Sequence, residues 1–113
     1  MNSLVCVDAS LIVRTVVPGP FSDEAEGLLA AWRREQRTLI APSLLAFEVT
    51  SVLRRLAYLR AITPARGDEA FAQFLRIPIR LSTRRSIYPL AFRLAKEFNH
   101  PRAYDTAYIA LAT

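Results

Sequence analysis

The chain has 113 residues, of which 52% are apolar and 22% are charged. This length suits one domain with a sizeable core, and the composition excludes a wholly disordered chain. The single Cys and the single His exclude an internal disulfide and a Cys/His zinc site. No apolar run approaches the ~20 residues of a membrane span, and the first residues lack the pattern of a signal peptide. We therefore expect one domain over residues 1–113, located in the cytoplasm.

The charge is strongly biased toward arginine. The formal net charge is +5, from 15 basic and 10 acidic residues, and Lys96 is the only lysine, so 14 of the 15 are arginines. Guanidinium groups suit phosphate recognition, although a high arginine content also reflects genome base composition. The charge allows a polyanionic partner such as nucleic acid without proving one.

The first half of the chain alternates short apolar runs with amphipathic segments, which is typical of alternating strands and helices. An apolar run that stops at Asp8 predicts a buried parallel strand. Pro18 and its neighbours end the helix that follows, and Ser22 is expected to cap the next helix. The predicted elements are a strand over 4–7, a helix over 9–17, a helix over 22–37, a strand over 38–41 and a helix over 44–60.

The second half continues the alternation. Thr63 is expected to cap a helix with Pro64 in its first turn, and that helix ends before Pro78. A strand over 79–81 and helices over 86–98 and 102–113 complete the prediction. This order predicts an α/β fold in which helices flank a parallel sheet. Because the last apolar helix needs a sheet to lie on, the domain is expected to lack a strand at its C-terminus.

Apolar stripes on these helices predict which residues face the core. They are Ala25, Leu28, Leu29 and Trp32; Leu45, Val49, Val52, Leu53, Leu56 and Leu59; Phe71, Phe74 and Leu75; and Ile87, Ala91, Leu94 and Phe98.

Three acidic residues interrupt apolar segments near the ends of different elements. Asp8 ends the first strand, where open α/β sheets bind ligands, but capping of the next helix explains it equally well. Glu48 lies at the rim of an apolar helix face and needs a cation or hydrogen-bond donors, for which Arg55 is the simplest structural partner. Asp105 begins the last helix, where the helix dipole alone favours an acid.

Taken together, the three carboxylates indicate a metal site. Carboxylates that converge in a cleft repel one another unless a cation holds them. A set of oxygen ligands without nearby His or Cys selects Mg²⁺ or Mn²⁺. Such an ion with open water positions is the usual apparatus for phosphodiester chemistry. We therefore expect Asp8, Glu48 and Asp105 to come within reach of one ion.

Three segments around these acids resemble a known family. They are VDAS at Asp8, PSLLAFEVTSVLRRL at Glu48 and HPRAYDTAYIALA at Asp105. In this order and spacing they resemble PIN-domain proteins, and more narrowly the VapC toxins of bacterial toxin–antitoxin pairs. The resemblance extends over residues 4–113. It implies a PIN-like three-layer domain and a metal-dependent endoribonuclease that hydrolyses RNA phosphodiester bonds.

The resemblance also implies roles and partners. Asp8, Glu48 and Asp105 are expected to be the catalytic residues that ligate Mg²⁺ or Mn²⁺. Ser10 and Thr106 are expected to support these ligands through hydrogen bonds. The implied partners are an RNA substrate, a cognate antitoxin protein and a second copy of the chain in a homodimer. No membrane partner is expected, because no apolar run is long enough to span a bilayer.

The sequence departs from the family in one respect. The family carries a further strand after the last helix, and that strand ends in a fourth acid, often within a T-x-D pattern. Neither follows Asp105 in this sequence. A second hypothesis is therefore a non-catalytic PIN-like module that binds proteins through a domain with an incomplete acidic site.

Two further sets of residues have open interpretations. Four arginines are candidates for contacts with RNA phosphates, although each is equally compatible with a plain surface; they are Arg14, Arg84, Arg85 and Arg102. Phe47 and Tyr58 lie off the main apolar stripe of their helix. This position indicates either a second packing layer or a surface that binds another protein.

Overall fold

The computed structural model describes residues 3–112 and confirms the predicted order of strands and helices. The elements are β1 (Leu4–Cys6), α1 (Ala9–Val16), α2 (Ser22–Arg34), β2 (Thr38–Pro42), α3 (Leu44–Tyr58), α4 (Pro64–Arg76), β3 (Ile79–Ser82), α5 (Ile87–Glu97) and α6 (Tyr104–Ala112). Thr113, which was expected to end the last helix, lies outside the described residues. No helix within residues 3–112 combines the length and the apolar character needed to cross a bilayer.

The strands form a parallel sheet in the order β1-β2-β3. Leu4 is in register with Thr38 on β2, and Leu39 is in register with Ile79 on β3. Because all three strands run in the same direction, their carboxyl ends meet at one edge of the sheet. Within residues 3–112, β1 pairs with β2 alone, so β1 is an edge strand of this sheet.

Helices cover both faces of the sheet. Leu39 and Ala41 of β2 pack into a core built mainly from α1, α2, α3 and α4. Ile40 between them, with Cys6 of β1, packs against α5 and α6 on the other face. This alternation follows from the period of two in a strand. The result is an α/β arrangement of helices, sheet and helices, as the sequence predicts.

Several helix ends differ from those predicted from the local sequence. Ser22 does not cap α2, because it lies inside the helix and its hydroxyl donates to the Val17 carbonyl at 2.9 Å. The capping position is Phe21, in the left-handed conformation with φ 67°. The helices α2 and α3 stop before the predicted ends at residues 37 and 60, because Gln36 and Arg60 adopt φ values of 57° and 61°. By contrast, Thr63 caps α4 as predicted, accepting from the Arg66 amide at 3.2 Å.

The apolar stripes are buried where the helices pack against the sheet or against one another. Ile12, Leu45 and Val49 are fully enclosed, while Phe74 and Ile87 are also buried. The predicted core residues that are exposed instead are Leu28, Val52, Leu59, Phe71, Leu75 and Phe98. Each helix has only a few neighbours in this small domain, so the residues at the sides and far ends of the stripes remain in solvent.

Candidate functional site

A cleft lies beside the carboxyl end of β1, between α1 and α6. Its volume is about 390 Å³, and its lining comes from Cys6, Val7, Asp8, Leu11, Tyr108, Ile109 and Ala112. The first four residues follow one another closely at the end of β1 and the start of α1. The other three lie one turn apart or less on α6. Strand ends of open α/β sheets are common ligand sites, so this cleft is the candidate functional site.

Asp8 is held in place by the start of α1. It is the capping residue of that helix, and its Oδ1 atom accepts from the Leu11 amide at 2.9 Å and from the Ser10 hydroxyl at 3.2 Å. The capping interpretation is thus confirmed, and Ser10 contacts the acid that it is expected to support, while its role beside a metal ion stays a prediction. Both hydrogen bonds end on Oδ1, so the cap does not use the second carboxylate oxygen. Capping and ligand binding are compatible at this residue.

Glu48 is anchored by Tyr108, a residue outside the predicted site. The Tyr108 hydroxyl on α6 donates to Oε1 of Glu48 on α3, and both side chains are partly buried. The expected position of Glu48 at the rim of a core face is confirmed. The expected hydrogen-bond donor is present, but it is the Tyr108 phenol and not Arg55, the simplest alternative. Tyr108 lies one turn after Asp105 on the same helix, and this spacing is the signal that was available in the sequence.

The phenol of Tyr108 lies among negative charges. Burial raises its pKa above the ordinary value of 10.0, and the hydrogen bond to Glu48 and the charges of Glu48 and Asp8 raise it further. Tyr108 therefore stays protonated and remains a hydrogen-bond donor at neutral pH. Burial, followed by the charge of Asp8, also raises the pKa of the Cys6 thiol. That thiol lies 3.8 Å from the Tyr108 carbonyl oxygen.

The three predicted metal ligands are not gathered around one point. Asp105 lies in the first turn of α6 and is exposed. Among residues 3–112, no group of three or more His, Cys, Asp or Glu side chains is close enough together to hold a metal ion. The expected three-way convergence is therefore not seen. The carboxylates of Asp8 and Glu48 are instead satisfied by protein donors, and mutual repulsion disfavours a closer approach without a cation.

Thr106 does not support the acidic residues. It is fully buried, and its hydroxyl lies 2.8 Å from the Ala91 carbonyl oxygen and 3.0 Å from that of Ala103. The first contact joins α6 to α5 on the far side of the sheet from α1. The predicted role of Thr106 beside Asp105 is therefore replaced by a structural one.

The predicted phosphate-binding arginines are available at the surface. Arg84, Arg85 and Arg102 are exposed, and none of them forms an ion pair with another residue in the range 3–112. Arg84 follows the carboxyl end of β3, where its amide donates to the Ser82 hydroxyl at 3.4 Å. Arg14 on α1 is also exposed and lies over the ring of Phe21. The arginines remain candidates for RNA contacts.

Phe47 and Tyr58 are 76% and 71% exposed. The prediction of a second packing layer is therefore wrong within the described chain. The other interpretation, a surface for another protein, remains a hypothesis.

No protein-family model matches the chain, and no curated protein is similar to it at a significant level. The resemblance carried by the three acidic segments therefore stays a prediction from the sequence.

Proposed function

We propose that this chain is a metal-dependent endoribonuclease of the PIN-domain, VapC-like type. One observation carries the proposal: the Tyr108 phenol lies in the fields of both Asp8 and Glu48 and is hydrogen-bonded to Glu48. Tyr108 belongs to α6, the helix that also carries Asp105. Three acid-bearing elements therefore meet beside one cleft at the carboxyl edge of a parallel sheet, where α/β enzymes bind their ligands.

The type of donor atom suits Mg²⁺ or Mn²⁺, although the three side chains are not gathered around one point within residues 3–112. Asp8, Glu48 and Asp105 supply carboxylate oxygens only, which are the ligands these ions prefer. When bound, such an ion supplies charge neutralisation at the phosphate and activation of water. Asp8 and Asp105 are assigned to anchoring the ion, and Glu48 either to ligating it or to orienting the attacking water.

The chain's own residues would position the reaction. Ser10 and the Leu11 amide hold Asp8, and the Tyr108 hydroxyl holds Glu48, so two carboxylates are fixed before substrate arrives. Water attacks phosphorus in line with the leaving oxygen, which departs with a proton as the 3′-hydroxyl, and the 5′-phosphate remains on the other product. Exposed arginines hold the flanking phosphates.

The test is cleavage of single-stranded RNA with Mg²⁺ or Mn²⁺, with EDTA, and by the Asp8→Asn variant. Asn keeps the helix cap and the shape of Asp8 but removes the charge. We expect EDTA to abolish cleavage and Asp8→Asn to slow it by about 100-fold or more. Asp68→Asn, which changes an exposed acid on α4, is the matched control and should cleave normally. Cleavage that survives both EDTA and Asp8→Asn would place the chemistry elsewhere.

A non-catalytic interaction module is the second candidate, and two observations favour it. The three carboxylates are not gathered within residues 3–112, and Phe47 and Tyr58 are largely exposed. The proposed partners are an antitoxin protein and a second copy of the chain. If the unaltered chain and Asp8→Asn are equally inactive at every metal concentration tested, this second function replaces the first. A cytoplasmic location belongs to either proposal.

A further inference from the structure

The solvent face of α1 connects the candidate site to an exposed aromatic ring. Ile12 and Val16 point this helix into the core, whereas Ser10 and Arg14, one turn apart, are exposed. Ser10 is hydrogen-bonded to Asp8 at 3.2 Å. The guanidinium carbon of Arg14 lies 5.3 Å from the ring centroid of Phe21. Asp8, Ser10, Arg14 and Phe21 thus form one exposed surface, which we call the α1 strip.

Phe21 is an unusual residue to find at this position. Its φ of 67° lies in the left-handed region, which a bulky residue without a polar side chain seldom occupies. Its ring is nevertheless 62% exposed, so burial does not compensate for the backbone strain. The Ser22 hydroxyl, bonded to the Val17 carbonyl, closes the turn that holds Phe21 there. Backbone strain of this kind clusters at active and ligand-binding sites, although Gln36 and Arg60 show that it also occurs at ordinary helix ends.

We propose that Phe21 and Arg14 form a subsite for single-stranded RNA, in which a base stacks on the Phe21 ring and Arg14 binds the adjoining phosphate. This inference rests on the proposed function, because it concerns the substrate of the same cleft. Aromatic rings bind any base through its π face, and arginine adds phosphate and cation–π contacts. A base within a duplex is already stacked, so the subsite selects unpaired RNA.

The geometry suits a strand that runs from the subsite to the cleft. Arg14 is six residues beyond Asp8 along α1, which corresponds to about 9 Å along the helix axis. Asp8 and Arg14 therefore lie near opposite ends of one short helix, so a strand of RNA laid along α1 would meet both. Arg14 forms no ion pair with any residue in the range 3–112, although Asp23 and Glu24 follow Phe21. Its guanidinium is therefore available to a phosphate.

A second arginine–aromatic pair provides a matched control. Arg54 lies 5.5 Å from the ring centroid of Tyr58, and Tyr58 is 71% exposed. This pair is on α3, in a helical segment without a left-handed residue. It has the same chemistry as the pair on the α1 strip but no connection to Asp8. If an exposed aromatic ring beside an arginine were sufficient for RNA binding, removal of either ring would weaken binding.

Binding is measured with the Asp8→Asn chain, so that the RNA is not cut. Short single-stranded RNAs carry 2-aminopurine at successive positions, and the fluorescence of this base is quenched when it stacks. We expect quenching at one position, and its loss when Phe21→Gly is added. Phe21→Gly should also weaken binding by about 5- to 100-fold. Phe21→Tyr, which keeps the ring, and Tyr58→Ala should both leave quenching and Kd within about twofold of the parent.

The choice of glycine separates binding from folding. Glycine adopts φ 67° without strain, so Phe21→Gly should keep its unfolding midpoint within about 3 °C of the parent. Arg14→Gln tests the phosphate contact. It should reduce the slope of log Kd against log salt concentration by about 0.7, the contribution of one phosphate on a single strand.

The experiments distinguish a failure of the proposed RNA subsite from a failure of the proposed nuclease activity. Unchanged quenching and affinity in Phe21→Gly would overturn the subsite. The subsite would also be overturned if Phe21→Gly bound RNA normally but sedimented differently from the parent. The α1 strip would then be a contact between protein copies. Phe21-dependent quenching without metal-dependent cleavage would support the subsite and reject the nuclease. Metal-dependent cleavage with an unchanged KM, by a chain in which Phe21→Gly is the one substitution, would support the nuclease and reject the subsite.

Discussion

At the scale of single residues, Asp8 combines a structural contact with a negative charge, and the two can be separated by substitution. Asn caps helices as well as Asp does, so Asp8→Asn should change the free energy of unfolding by less than about 0.5 kcal/mol. Asp8→Ala removes the acceptor for the Leu11 amide and should cost about 1 kcal/mol. Urea denaturation compares the two. Equal destabilisation by both variants would mean that the charge, rather than the cap, stabilises this end of α1.

Tyr108 tests the other fixed carboxylate. Tyr108→Phe leaves the partly buried Glu48 without its protein donor and should lower the free energy of unfolding by about 1–2 kcal/mol. Combining it with Glu48→Leu should recover part of this loss, because no carboxylate then remains unpaired. The two changes should therefore be non-additive in urea denaturation. Additive losses would show that the hydrogen bond does not contribute to stability.

The raised pKa of Tyr108 also predicts a dependence on alkaline pH. The pKa in the folded chain lies above the ordinary value of 10.0, so the folded state keeps a proton that the unfolded state releases. This contribution is complete below about pH 10 and is lost as the pH rises further. The unaltered chain should therefore lose more stability than Tyr108→Phe between pH 9 and pH 11, roughly the range where free tyrosine ionises. Parallel losses in the two proteins would contradict the assignment.

At the scale of elements, Thr106 joins α6 to α5. Its buried hydroxyl contacts the Ala91 carbonyl at 2.8 Å, so Thr106→Val keeps the shape but removes the donor. We expect a loss of about 1–2 kcal/mol in thermal or urea unfolding. Thr106→Ser keeps the hydroxyl and should cost less. A greater loss in the serine variant would mean that the methyl group, and not the hydrogen bond, holds the two helices together.

The elements also show which features a sequence predicts. The order of strands and helices follows from local periodicity and from punctuation such as Thr63-Pro64, so it is recovered. The ends at Gln36 and Arg60 are not, because these residues adopt the left-handed conformation without being glycine. The bond between Glu48 and Tyr108 spans 60 positions. A partner at that separation is set by the tertiary fold, which brings the side chains of α3 and α6 together and which spacing along the chain does not encode.

At the scale of the whole molecule, the sheet places unlike groups at its two sides. The cleft that contains Asp8 lies beside β1, and Arg84 and Arg85 follow β3 at the same carboxyl edge. The net charge of +5 attracts a polyanion over longer distances, while the local acids require a cation or a protein donor. The separation of the arginines from the cleft suits a nucleic acid, because the arginines can bind its flanking phosphates while another phosphate reacts in the cleft.

The open side of β1 leads to a prediction about association. Within residues 3–112, β1 pairs only with β2, and Leu4 on it is 53% exposed. An unpaired strand edge with apolar side chains favours pairing between copies, and a lysine at such an edge opposes it. We therefore expect the unaltered chain to sediment as dimers or larger species at micromolar concentration, and Leu4→Lys to shift it toward monomer.

The control is Leu75→Lys, which changes a 65% exposed leucine on α4 and adds the same charge away from the strand edge. Each surface substitution should change the free energy of unfolding by less than about 0.5 kcal/mol, so a change in association will not reflect unfolding. If Leu75→Lys dissociates the copies and Leu4→Lys does not, the contact lies on the helices. A monodisperse monomer of the unaltered chain would show that the β1 edge is protected without a partner.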